Sequence, residues 1–168
     1  MSQQADIVSN LPDDIEVFMR NSAKVEEIVS APAPESIVDK EGNPVMLRIK
    51  VLSNSRIQEI NENYKRKTVA TDKKGNPYIQ NGEVAFRVER DNIKASQRII
   101  AEALVYPNLR DPKLMKFFDC LDITEMPLKV FPTAEEYSHV SRAVMAVLGL
   151  ISGPSDEEVS EAISEAKN

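Results

Sequence analysis

The chain has 168 residues, of which 42% are hydrophobic and only 5% aromatic, with no Trp, so one domain with a mainly aliphatic core is expected. Twenty-seven acidic residues against 21 basic leave a net charge of −6, which argues against a nonspecific nucleic-acid binder, since such proteins need a basic face. A single cysteine, Cys120, excludes an intramolecular disulfide and fits a reducing cytosol.

Residues 1–12 are polar and are expected to form a disordered arm. They contain no apolar core of a secretion leader, and no stretch approaches the ~20 apolar residues of a membrane span, so a soluble intracellular protein is expected. Pro12, Asp13 and Asp14 favour a helix start, with Ile15, Phe18 and Met19 along one face. Val25 to Ser30 is ambiguous between helix and extended chain, and Ala31-Pro-Ala-Pro34 reads as an extended linker.

The clearest β pattern follows. Leu47, Ile49 and Val51 alternate with Arg48 and Lys50, the period of a half-buried strand. With Ser36-Ile-Val38 as its partner across Asp39-Lys-Glu-Gly-Asn-Pro44, it forms the expected hairpin, Gly42 and Asn43 supplying the turn. Ser53 to Ala70 is expected to be one helix, buried through Ile57, Ile60 and Tyr64, with Lys65, Arg66 and Lys67 at its solvated end. Asp72-Lys-Lys-Gly-Asn-Pro77 nearly repeats the first turn. Asn81-Gly82 between Tyr78-Ile79 and Val84–Val88 then marks a second small hairpin or a long ordered loop.

The densest apolar stretch, Ala95 to Leu121, is the expected centre of the domain. Ile99, Ile100, Ala103 and Leu104 give one helix a buried face, and Pro107 is expected to end it. Asp111-Pro112 opens a second helix, with Leu114, Met115, Phe117 and Phe118 as its buried side. Cys120 sits among apolar neighbours as a small buried hydrophobe. Thr124 is expected to cap a short helix carrying Leu128, Val130 and Phe131 inward. Thr133 and Glu136 form a capping box opening a helix with Tyr137, Val140, Val144, Val147 and Leu148 on one side, ended by Gly149. Ser155 and Glu158 form another capping box in the tail, where Val159 and Ile163 are the residues with something to bury.

The fold expected from these elements is α+β and mainly helical: small antiparallel hairpins packed on a bundle of about five helices. Residues 13–152 form the domain and residues 153–168 a flexible or partner-dependent helical tail. Chemistry is not advertised. His139, the lone histidine, lies on a polar helix side beside Ser138 and has no evident nucleophile or acid partner. The acidic pairs stand at helix starts or wet faces, and no phosphate or dinucleotide loop is present. No catalytic residue, cofactor or metal site is expected.

The order of elements, with the D-x-E-G-N-P hairpin of Asp39–Leu52 and the Val105-Tyr-Pro-Asn-Leu-Arg-Asp111 motif within Ala95–Leu121, resembles the XkdN-like tail assembly chaperones of long-tailed phages and phage-derived tail particles of Gram-positive bacteria. The resemblance spans about Asp14 to Leu150. Leu47 or Ile49 stands where the family often carries a Trp, the Lys73–Val88 hairpin looks inserted, and the tail past Gly153 has no counterpart in it. The resemblance implies a protein without catalysis that binds the tape-measure protein, keeps it soluble and helps recruit tail-tube subunits, whose direct binding stays open. It implies action in the host bacterial cytoplasm and departure from the finished particle. A retained structural completion or adaptor protein is the alternative. A homo-oligomer is left open; nucleic acid and membrane are not expected partners. The candidate partner surface is Val144, Val147, Leu148, Leu150 and Ile151, with Val159 and Ile163 in the tail; core packing is the competing role for Val144 and Leu148.

Overall fold

A computed structural model describes residues 14–21 and 24–151. The expected arm, residues 1–12, and the tail past Gly153 lie outside the described residues.

The fold is a mixed α+β domain with several antiparallel sheets, which corrects the expectation of a five-helix bundle carrying small hairpins. In chain order it runs α1 (Glu16–Asn21), β1 (Ile28–Pro32), β2 (Met46–Lys50), α2 (Asn54–Asn63), β3 (Lys65–Val69), β4 (Ile79–Gln80), β5 (Glu83–Val84), β6 (Phe86–Arg90), α3 (Asn92–Ala103), β7 (Leu104–Tyr106), α4 (Pro112–Phe117), a 3-10 turn (Ile123–Glu125), α5 (Met126–Val130) and α6 (Ala134–Val147).

A three-stranded antiparallel sheet, β1-β2-β7, forms the floor of the core. In β2 the alternation read from the sequence is realised: Leu47 and Ile49 are buried while Met46 and Arg48 are exposed. The partner strand is not Ser36–Val38, however. Ile28–Pro32 pairs with β2 along its whole length, with Ala31 opposite Leu47 and Val29 opposite Ile49. The segment of alternating prolines thus supplies an edge strand, where a missing N–H is harmless. Val38 makes only a bridge to Pro44, closing the turn between them.

Helix α3 is the hub. It packs against α2, β7, the 3-10 turn, α5 and α6, and it buries Ala95, Ile99, Ile100, Ala101 and Ala103. Each large side chain buried this way contributes about 1.5–3 kcal/mol relative to exposure. The helix stops at Ala103, four residues before Pro107, because Leu104–Tyr106 leave it to pair with Arg48 and Ile49 of β2. Sheet pairing ends this helix ahead of any effect from Pro107.

Helix α2 also stops early, at Asn63, and Lys65–Val69 is strand β3, paired residue for residue with β6. The expected continuous helix to Ala70 is therefore replaced by a helix and a strand. Caps follow the sequence more closely. Ser53, Asp91, Asp111 and Thr133 all accept from backbone N–H groups of the turn they open, and Thr133 with Glu136 completes the capping box. Asp122, rather than Thr124, caps the 3-10 turn, and Thr124 is buried with its hydroxyl donating to Asp122 Oδ1 at 2.7 Å.

Two helix ends are built alike. After α6, the N–H of Gly149 reaches Ala146 O at 3.1 Å and that of Leu150 reaches Met145 O at 2.9 Å, with Gly149 at φ 72°. After α4, the N–H groups of Asp119 and Cys120 repeat this on Lys116 and Met115, with Asp119 at φ 49°. Both close the free carbonyls of the last turn.

Candidate partner-binding surface

The core is small relative to the apolar surface left outside it. Among the described residues, eighteen hydrophobic residues are buried, whereas twenty-two large hydrophobics are exposed. Exposed apolar side chains that fall together in groups are the ones that mark an interaction surface.

The end of α6 divides the residues expected to meet a partner. Val144 is fully buried in the core, and Val147 and Leu148 pack partly against it. Leu150 and Ile151, beyond the helix end, are 47% and 43% exposed. Val159 and Ile163 lie outside the described residues.

Three further apolar groups were not assigned a surface role by the sequence pattern. Helix α1 buries none of its residues: Val17, Phe18 and Met19, with Ile15 just ahead of the helix, are exposed, so the face expected to pack is no part of the core. Phe117 and Leu121 are 80% and 97% exposed, which corrects the reading of Phe117 as part of a buried side; Leu114, Met115 and Phe118 do pack against the core. Leu128 is exposed as well, although Val130 and Phe131 turn inward.

The third group is a β-ribbon, residues 65–90. Lys65, Lys67 and Val69 of β3 stand opposite Arg90, Val88 and Phe86 of β6, and directly opposed residues share one face. All six are exposed. The ribbon extends through the Asn81-Gly82 turn expected between Ile79 and Val84, both turn residues having positive φ. Its other turn repeats the first in hydrogen bonds as well as letters. Asp39 Oδ1 accepts from the N–H groups of Glu41 and Asn43, both at 2.9 Å, and Asp72 Oδ1 accepts from those of Lys74 and Asn76 at 2.8 and 2.9 Å.

Three of the polar side chains beside one depression hold the fold together. A depression of about 530 Å³ is lined by Pro34, Glu35, Ser36, Thr133, Glu135, Glu136 and His139. His139 Nε2 lies 2.8 Å from the Pro32 carbonyl oxygen, so this nitrogen carries the proton and donates it. Ser36 donates to Glu136 Oε1 at 2.6 Å, which, with the N–H of Thr133, holds the Glu136 carboxyl below its usual range. These bonds fasten residues 32–36 to the start of α6. Cys120 is buried, its thiol donating to Asp122 O at 3.1 Å. Among the described residues there is no cluster of three or more His, Cys, Asp or Glu able to hold a metal, and no helix long and apolar enough to cross a membrane.

The alternating β2 strand, the hub helix running into β7 and the open apolar groups together define an α+β scaffold with apolar side chains left outside its core. Residues 15–167 match the family described as phage XkdN-like tail assembly chaperone protein, and the chain belongs to that family. The match runs through residue 167, so the segment past Gly153 does have a counterpart in the family, contrary to the reading from the sequence. The chain is 26% identical to the uncharacterized protein YqbN of Bacillus subtilis (strain 168), covering 92% of this chain and 93% of YqbN. It is 23% identical to the phage-like element PBSX protein XkdN of the same strain, over 92% and 94% of the two chains. The crystal structure of YqbN superposes with a TM-score of 0.60 at 23% identity, covering 83% of this chain and 98% of that one, and shares the fold. The family is described as one of phage tail assembly chaperones.

Proposed function

We propose that this protein binds the tape-measure protein of a phage or phage-derived tail particle, keeps it soluble and helps recruit tail-tube subunits, without catalysis. The observation that supports this reading most is the exposed apolar surface of α1, Phe117, Leu121, Leu150 and Ile151 on a chain with a net charge of −6. Such side chains accept an amphipathic helix through its apolar stripe. Net negative charge keeps the complex dispersed, because like-charged complexes repel. The protein acts in the host bacterial cytoplasm and leaves before the particle is complete.

The test is co-purification. A tagged copy of the chain should retain the tape-measure protein from infected or induced cells, and mass spectrometry of purified particles should find the chain absent. Stoichiometric presence in particles would assign a structural tail component instead. Failure to retain the tape-measure protein would overturn the reading.

A further inference from the structure

The ribbon is an anomaly within its own chain. Residues 65–90 carry seven lysines and arginines against three acids, whereas the whole chain carries a net charge of −6. One ribbon face combines Val69, Phe86 and Val88 with Lys65, Lys67 and Arg90, all exposed. Lys65 pairs with Glu62, on which Arg90 also acts at longer range, and Lys67 forms no ion pair among the described residues. A two-stranded ribbon is marginal in water unless something covers its apolar side. A second copy of the same face is a poor cover, because Lys67 and Arg90 would meet their own equivalents.

The chain itself contains the complementary surface. Asp156, Glu157, Glu158, Glu161 and Glu165 are set against one lysine, Lys167, and Val159 and Ile163 stand four residues apart among them. At a spacing of four, Val159 and Ile163 fall on one side of the chain at either the helical or the extended period, with carboxylates beside them. Residues 152–168 follow Ile151 and reach about 55 Å if extended, enough to cross a domain of this size. We infer that in the free chain the acidic segment 155–168 seats on the apolar, basic face of the ribbon, Val159 and Ile163 against Phe86 and Val88, and carboxylates against Lys67 and Arg90. This inference is independent of which outside partner the protein serves.

The experiment uses the full chain with the photo-crosslinking residue benzoylphenylalanine at position 86. Irradiation followed by peptide mass spectrometry should recover a cross-link to residues 155–168. Reversing Glu157, Glu158 and Glu161 to Lys should reduce its yield by about fivefold or more, as several exposed charge pairs together would. Adding Lys67→Glu and Arg90→Glu to that variant should restore it. Lys67 and Arg90 are exposed, and a melting curve confirms that each variant is folded. A cross-link to the body of a second copy, a yield indifferent to charge reversal, or no cross-link at all would overturn the inference.

Discussion

Arg56 and Glu102 meet across α2 and α3 in a two-pronged contact, Nε to Oε1 at 2.7 Å and the second guanidinium nitrogen to Oε2 at 2.9 Å. Glu59 joins from the same side of α2 and Arg98 from α3, so two like and two unlike charges lock the hub helix to its neighbour. The Glu102 side chain is only 12% exposed, which makes this pair worth more than an ordinary surface ion pair. Arg56→Ala should therefore cost about 2 kcal/mol, read by urea denaturation.

The same contact sets an acid limit. Arg56 holds the Glu102 carboxyl below its ordinary value of 4.5. A carboxyl depressed in the folded state stabilises fully above its unfolded value, and the contribution fades as pH falls through the lower folded value. Melting temperature should thus decline below pH 4.5, and Arg56→Ala should flatten the part of that decline due to Glu102. An unchanged slope in the variant would show that other carboxylates govern acid unfolding.

Asp119 occupies a left-handed position, φ 49°, that glycine adopts without strain, and its side chain makes no hydrogen bond among the described residues. Asp119→Gly should stabilise the protein by about 0.5–1 kcal/mol. Gly149 is the converse case. A Cβ there meets nothing within 4 Å, so Gly149→Ala pays only for its φ of 72° and should cost about 1 kcal/mol. Denaturant midpoints of the two variants should move in opposite directions.

The ribbon has no buried residue of its own, so it should open independently of the core. Asp72→Ala removes the two turn bonds at Lys74 and Asn76. Amide exchange across β3 and β6 should then quicken by about tenfold while the melting temperature stays within about 1 °C. Asp39→Ala, at the matching turn on the main sheet, should lower the melting temperature instead. Equal global effects of the two would contradict an autonomous ribbon.

The two sides of the α6 terminus should separate by assay. Val144→Ala opens space in the core and should cost about 2 kcal/mol without a specific effect on partner capture. Leu150→Asp with Ile151→Asp loses the covered half of each side chain and should cost a similar amount, about 1–2 kcal/mol, yet it should also weaken capture of the tape-measure protein, which Val144→Ala does not.

What the sequence disclosed was mostly local. The Leu47–Ile49 alternation, the hub face of Ile99 and Ile100 and the Thr133–Glu136 box depend on neighbours within a turn or two, and each appears in the structure. The partner of β2 was not local. Val25–Ser30 read as either helix or extended chain and Ala31–Pro34 as a linker, because two nearby prolines suggest broken structure, and only its place at the sheet edge makes Ile28–Pro32 a strand. Lys65–Val69 misled for a related reason: three basic residues after a helix read as a solvated end. The twin turns at Asp39 and Asp72 were the available signal, since the first is flanked by extended chain and the second is built the same way. Phe117 was misplaced because a six-residue helix has little room to distinguish an inner from an outer face. Apolar patterning also says how greasy a face is without saying whether the fold covers it, which is why α1 read as packed and stands open.

The most direct measurement is the soluble fraction of the tape-measure protein expressed with and without this chain. The account predicts that it stays in the supernatant, in a complex with the chain, only when the chain is present, and returns to the pellet with the Leu150→Asp, Ile151→Asp variant. Equal solubility in the presence and absence of the chain would contradict it.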